Sequence, residues 1–109
     1  MKALRRSDDF NADVSREWIY LQQFGDRLAD RFVHQVEETL HLLARQPSLG
    51  HPGRYRHPRL QGLRVHRAGK PFGAWLIFYW DRPESVDLFR LMHGARDLPR
   101  VLIQGSSPL

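Results

Sequence analysis

The sequence predicts an α+β fold of the order β-α-α-β-β-β, in which a helical hairpin packs on a small, mainly antiparallel sheet. Three observations predict it. Two stretches between residues 9 and 43 repeat apolar residues at helical spacing. An alternating run at 63–67, an apolar run at 74–80 and a further apolar run from Ser85 are typical of strands. Glycine and proline separate these runs and mark the turns between them.

The first elements of the chain are a short strand and a helix. Residues 2–6 are too few to show a clear pattern and allow only a short strand. Ser7 is suited to cap a helix, and Asp8 and Asp9 to form its first turn. The apolar face that follows is formed by Phe10, Val14, Trp18 and Leu21. This face predicts a helix over about 9–24.

A second helix follows after a tight break. Gly25 can take the left-handed conformation that ends a helix, and Asp26 can cap the next one. Its apolar positions are Leu28, Ala29, Phe32, Val33, Val36, Leu40 and Leu43. The pattern ends before Pro47, so two adjacent amphipathic helices form a hairpin.

The second half of the chain predicts strands joined by turns. Residues 47–58 cannot continue a helix and are poor strand material, so we expect a surface connection. The alternation at 63–67 suits a half-exposed strand. The run at 74–80 has no polar face, which indicates a central strand covered on both sides. The turn at 81–84 leads into the strand that begins at Ser85.

Length and composition indicate one domain. A chain of 109 residues with 41% hydrophobic content suits a single core over residues 1–104, with residues 105–109 as a flexible tail. The longest apolar run has seven residues, far below the roughly 20 that span a bilayer. The charged start lacks the apolar stretch of a secretory signal, and the absence of cysteine fits a reducing compartment. We expect a cytoplasmic protein.

Positive charge is concentrated in one part of the chain, residues 47–73, which we call the basic segment. It carries six basic and no acidic side chains, enough to account for the net charge of +5. Arginine dominates, and its guanidinium suits bidentate contact with phosphate or carboxylate. Tyr55 lies between two arginines, where it could stack on a base. We expect an acidic partner; the candidate binding residues are Arg54, Tyr55, Arg56, Arg59, Arg64, Arg67, Lys70 and, beyond the segment, Arg96.

Several common chemistries find no support. The spacing around Gly62 and Lys70 does not match a phosphate-binding Walker loop. His34, Glu38 and His41 lie along one side of the second helix, but opposite Val36, so they indicate a solvated face rather than a metal site. No G-x-S-x-G elbow is present to activate a serine. The sequence predicts neither a metal nor another cofactor.

The remaining candidates for chemistry are Arg64, Arg90 and His93. We expect Arg90 to share a strand face with Val86, Leu88 and Met92, so it must reach the edge of the sheet or pair with an anion such as Asp97 or Asp87. His93 could cap the end of the strand. Alternatively, the two arginines, on strands that could be neighbours, converge with His93 on a phosphate, stabilising charge while the imidazole moves a proton.

Three stretches of the second half follow a specific pattern: the strands Leu-Arg-Val-His-Arg and Leu-Ile-Phe-Tyr-Trp, and above all Arg-Leu-Met-His-Gly-Ala-Arg-Asp. With these stretches and the order of its elements, the chain resembles the ParE/RelE superfamily of bacterial toxins from type II toxin-antitoxin systems. The resemblance extends over roughly residues 3–100, and the pattern is closer to the ParE branch. It implies a RelE/ParE-like fold and a toxin of a plasmid stabilisation module, neutralised by a cognate antitoxin.

The resemblance implies two targets. ParE-like toxins are associated with poisoning of DNA gyrase, and RelE-like toxins cleave mRNA on the ribosome. Arg64 and Arg90 match arginine positions of the ribonucleases, but nothing after Asp97 is aromatic or imidazole, so only His93 could replace their C-terminal group. Because in-line attack would then lack one proton-transfer partner, we favour gyrase inhibition by binding over ribonuclease activity. A further alternative is a non-toxic nucleic-acid-binding domain that acts through the basic segment.

Overall fold

The first strand forms one edge of the sheet, where it lies beside the last strand. The computed structural model describes residues 1–94. Its strands are β1 (Ala3–Arg6), β2 (His51–Pro52), β3 (Arg64–Arg67), β4 (Trp75–Asp81) and β5 (Ser85–His93). The strand order is β1-β5-β4-β3-β2; β1 and β5 are parallel, and the other pairs are antiparallel. The predicted α+β fold and mainly antiparallel sheet are confirmed.

The two helices are α1 (Asp8–Gln22) and α2 (Asp26–Arg45). The hydroxyl of Ser7 accepts a hydrogen bond from the Phe10 N–H at 2.9 Å, which confirms the predicted cap. The first helix ends two residues before the predicted boundary, because its buried face ends at Leu21. Gly25, at φ 127°, precedes α2 directly, so Asp26 is its first residue and not its cap.

The larger core lies between the helices and one face of the sheet, which we call the helix face. The helices contribute Phe10, Leu21, Ala29, Phe32, Val36, Leu40 and Leu43. The sheet contributes Ile77 and Tyr79 from β4 and Val86, Leu88 and Leu91 from β5. The predicted apolar faces of both helices are therefore buried where expected.

The opposite face of the sheet, which we call the open face, carries a smaller apolar cluster. It is formed by Leu60, Leu63, Phe78 and Met92, each no more than 2% exposed. Since Phe78 alternates with Ile77 and Tyr79, β4 is covered on both sides, as predicted for a central strand.

A β-bulge in β5 changes the face of the residues that follow it. Phe78 lies opposite Arg90 while Tyr79 lies opposite Leu88, so Phe89 is an extra residue in the ladder. Beyond it, Leu91 packs on the helix face and Met92 on the open face. The prediction that Arg90 shares a face with Val86, Leu88 and Met92 is therefore wrong for Met92. Val86 and Leu88 pack on the helix face, and Arg90 contacts α1 on the same side.

The connection after α2 is more regular than predicted. It contains two short 3₁₀ helices, Pro47–Leu49 and Pro58–Leu60, and the two-residue strand β2. A proline is tolerated in β2 because the strand lies at the edge of the sheet. Pairing of His51 with Val65 gives the sheet a fifth strand.

Candidate functional site

The middle of the basic segment, around residues 53–63, is held against the open face of the sheet. Leu60 and Leu63, 1% and 0% exposed, pack in the cluster with Phe78 and Met92. The N–H of Gly53 donates to the Leu63 carbonyl at 2.9 Å and closes the loop between them. The middle of the segment is therefore anchored on the side opposite the helical hairpin, whereas Ala68 and Phe72 near its end pack in the core of the helix face.

Tyr55 is an anchor of this loop. Its ring packs against the cluster of the open face and is half-buried. Burial raises the pKa of its hydroxyl. The Gln61 side-chain amide donates to the Tyr55 carbonyl at 3.0 Å and fixes the loop on its other side. Packing of this ring leaves only part of it available for the base stacking that the sequence suggested.

Tyr79 and Arg64 fix the start of the basic segment. They lie opposite each other on β4 and β3. The Tyr79 hydroxyl donates to the Pro47 carbonyl at 2.6 Å and accepts from the Gly50 N–H at 2.9 Å. Arg64 Nη1 donates to the Gly50 carbonyl at 2.7 Å. Burial raises the pKa of Tyr79. Arg64 thus holds the backbone in position.

The other cations of the segment lie at the surface. Arg54, Arg56, Arg59, Arg67 and Lys70 are all exposed. Arg67 donates to the Gly73 carbonyl at 2.7 Å. Among the described residues, no ion pair includes a cation of the basic segment. The positive charge predicted from the sequence is therefore not neutralised within residues 1–94.

Arg90 is buried in an ion pair. Its Nε and Nη2 donate to the two carboxylate oxygens of Asp13 in α1, at 2.7 and 2.9 Å. Asp13 also accepts from the Leu91 N–H at 3.0 Å. The hydrogen bonds that Arg90 donates to Asp13 raise the pKa of Arg90 against the opposing effect of burial. The expected ion pair is present, but its partner is on the first helix; Asp97 lies outside the described residues, and Asp87 contacts Ser85 and Arg82 instead.

The three candidates for chemistry lie on two strands that are not neighbours. Strand β4 separates Arg64 on β3 from Arg90 on β5, which corresponds to about 10 Å between the backbones at the usual strand spacing. Arg64 contacts the backbone after α2, while Arg90 contacts α1. His93 is half-buried at the end of β5, with its ring centroid 5.1 Å from that of Trp75. Arg96 lies outside the described residues.

The sequence did not indicate two features of the molecule. Asp13 was not identified as the partner of Arg90, because the two residues are 77 positions apart. A group formed by Arg5, Trp80, Arg82 and Phe89 on the open face was also missed. The alternation along β4 and β5 could have placed both aromatic rings on one face, but only the strand order brings Arg5 beside them.

Residues 1–94 contain neither a cluster of metal ligands nor a membrane-spanning helix. No group of three or more potential metal ligands occurs among residues 1–94. His34 and Glu38 form an exposed pair at 3.0 Å on α2. Within the same part of the chain, no helix has the length and hydropathy needed to cross a membrane.

These features define a small α+β protein with a helical hairpin on one face of its sheet and a cationic surface on the other. The family model of the ParE toxin of the type II toxin-antitoxin system parDE matches residues 4–98. The chain therefore belongs to the ParE toxin family, and it is a type II toxin by family.

Two solved structures share the fold. The chromosomal ParDE toxin-antitoxin system from P. aeruginosa matches with a TM-score of 0.69 and 16% identity, over 85% of this chain and 96% of that chain. YafQ from E. coli strain BL21(DE3) matches with a TM-score of 0.51 and 14% identity, over 87% of this chain and 96% of that one. None of the curated proteins compared with the chain matches it.

Proposed function

We propose that this toxin inhibits growth by binding and poisoning DNA gyrase in the cytoplasm, and that an acidic segment of its antitoxin neutralises it by covering the basic segment. The carrying observation is the pairing of Arg90 with Asp13. A ribonuclease would need this guanidinium at the scissile phosphate, but it is 7% exposed and bound to a carboxylate. Inhibition by binding needs no such group.

The exposed cations supply the means of binding. Arg54, Arg56 and Arg59 extend from a loop that the open-face cluster holds in place. Arg67 lies on β3, and Lys70 lies in the turn that follows this strand. Rigid anchoring lowers the entropy lost on association. Their charge attracts an acidic partner, such as a gyrase–DNA complex or an acidic antitoxin segment that folds on binding. We assign target binding to these side chains, and positioning of the loop to Tyr55 and Arg64; Arg96 remains a prediction.

Controlled expression without antitoxin tests the target. We expect trapped DNA cleavage and induction of DNA damage signalling, together with inhibition of supercoiling by purified gyrase on addition of the purified toxin. DNA breaks and transcript cleavage are scored in the same culture. Unchanged gyrase activity would contradict the proposal. Transcripts cut on translating ribosomes, with cutting lost in His93→Ala, would favour the ribonuclease alternative.

A further inference from the structure

The open face carries an aromatic pair that has no role in the contacts described above. Trp80 and Phe89 have ring centroids 4.8 Å apart, with planes inclined by 48°. Both residues are half-buried, so part of the pair reaches solvent. Arg5 and Trp80 lie in register on either side of Asp87, on three adjacent strands. The pair therefore lies on β4 and β5, in the part of the open face next to β1.

The Trp80 indole is held in a fixed orientation. Its Nε1–H donates to the Gln61 carbonyl at 3.0 Å. The Arg82 guanidinium lies 5.2 Å from the ring centroid on a face of the indole. The ring also packs against the cluster that contains Phe78. A fixed aromatic surface with a solvent-exposed part suits the stacking of an unpaired base, which needs no hydrogen-bond readout.

Cations predominate around the pair. Arg5 is exposed, and no ion pair among the described residues includes it. Arg82 is 52% exposed in its side chain, and its Nε lies 3.7 Å from Asp87, a long contact that an incoming anion can replace. The pair borders a concavity in which, among residues 1–94, Asp87 is the one carboxylate. The third arginine of this concavity, Arg6, is bound to Glu37.

The basic segment adds cations on the other side of the pair. The hydrogen bond from Trp80 to Gln61 places the indole against this segment, close in sequence to Arg59. Arg56 and Arg59 are exposed. Arginine side chains thus come from both sides of an aromatic surface, an arrangement that matches a flexible polyanion with unpaired bases.

We propose that the open face binds single-stranded DNA, with a base stacked on Trp80 and Phe89 and with phosphates on Arg5 and Arg82 on one side and on Arg56 and Arg59 on the other. The choice of DNA over RNA rests on the proposed action on gyrase. The aromatic pair and the arginines around it suit a single strand of either nucleic acid.

The test measures binding of a labelled oligothymidylate to the whole chain by fluorescence anisotropy. We expect Arg5→Gln with Arg82→Gln to weaken binding about tenfold at low salt, and to lower the slope of log K against log salt by about 1.4, since about 0.7 is lost per phosphate contact on a single strand. The matched control is Arg27→Gln with Arg31→Gln, which removes the same charge from exposed positions of α2 on the helix side.

Two further variants test the stacking and the charge separately. Binding should quench tryptophan fluorescence, and Trp80→Phe should remove that quench while Trp18 and Trp75 remain. Asp87→Asn removes the carboxylate from the site and should tighten binding several-fold, a change that partial unfolding would not produce. Circular dichroism confirms that each variant is folded.

The outcomes are distinct. Equal weakening in the two double-arginine variants, or a quench that survives Trp80→Phe, would overturn the proposal. Binding of oligouridylate as tight as oligothymidylate would overturn the commitment to DNA. Gyrase inhibition is measured in parallel: a toxin that binds the oligonucleotide as described but leaves gyrase unaffected contradicts the proposed function alone, and inhibition without oligonucleotide binding contradicts this inference alone.

Discussion

The two faces of the sheet are built differently. The helix face buries a large apolar core together with one charged pair, Asp13 and Arg90. In the part of the chain that the structure describes, the cluster of the open face has four buried residues, and the middle of the basic segment, which covers it, bears exposed cations. Stability is therefore concentrated on the helix face, whereas the surface chemistry is concentrated on the open face. The comparison shows why an arginine in the last strand and arginines in the loop have different roles: the first is buried and paired, and the others are exposed.

Breaking the buried pair should give the largest effect on stability. Asp13→Ala leaves the Arg90 charge buried without its partner, so we expect a loss of about 3–5 kcal/mol in the free energy of unfolding. Urea denaturation measures it. The control is Arg16→Ala, which removes an exposed arginine that also contacts Asp13.

A double replacement separates the pair from its surroundings. Asp13→Asn with Arg90→Met removes both charges and keeps an acceptor for the Leu91 N–H. We expect the double variant to be more stable than Asp13→Ala, because it also removes the buried guanidinium. In that group, Nη1 has no hydrogen-bond partner among the described residues even when Asp13 is present. If the double variant were less stable than Asp13→Ala, the unpaired charge of Arg90 would not be the cause of the loss in Asp13→Ala.

A matched pair of leucine substitutions compares the two faces. Leu40→Ala and Leu60→Ala each remove a buried side chain and should cost about 2–5 kcal/mol. We expect the smaller loss at Leu60, since its loop can collapse into the space, whereas helix and sheet enclose Leu40. Limited proteolysis should detect faster cutting within the basic segment only in Leu60→Ala. Equal cutting in both variants would show that the segment is not anchored independently of the main core.

The hydrogen bonds of the Tyr79 hydroxyl at the start of the basic segment should contribute less to stability. Tyr79→Phe removes two hydrogen bonds and leaves the buried Gly50 N–H unpaired, which should cost about 1–3 kcal/mol. Tyr20→Phe, at an exposed position, is the control and should change the free energy of unfolding little.

The buried Tyr79 hydroxyl also predicts a pH dependence. The pKa of Tyr79 is raised in the folded state, so its contribution is fully present below the unfolded pKa of about 10 and is lost as pH rises above it, through the folded pKa. The free energy of unfolding should therefore fall more steeply in alkali for the wild type than for Tyr79→Phe. Equal slopes would assign the alkaline loss to other groups.

Neutralising the exposed cations should change stability least and association most. Arg56→Gln, Arg59→Gln and Arg67→Gln together should alter the free energy of unfolding by no more than about 0.5 kcal/mol. Stopped-flow measurements should show slower association with the antitoxin at low salt, with the difference fading as salt screens the charges. The same number of substitutions at Arg27, Arg31 and Arg45 on α2 is the control. An unaltered on-rate in the first variant would indicate an apolar contact.

Local patterns determined most of the fold. Helical spacing identified both buried helix faces, from Phe10 to Leu21 and from Leu28 to Leu43, because a repeat of 3.6 residues is visible in any single stretch. The unbroken apolar run identified β4 as the central strand, because such a run can also be read from a single stretch of sequence. The uneven distribution of charge along the sequence identified the basic segment. Folding leaves its positive charge unneutralised, because no described carboxylate pairs with its cations.

Only the tertiary structure decided which residues meet. The parallel pairing of β1 with β5, the bulge at Phe89 and the partner of Arg90 all join residues far apart in the chain. A one-residue bulge alters the face of every later side chain, and alternation alone does not reveal it. The sequence by itself thus determined the elements, their buried faces and the site of the positive charge. The arrangement of strands decided that Arg90 is paired inside while Arg5 and Trp80 share a surface, because long-range register depends on packing of the whole chain.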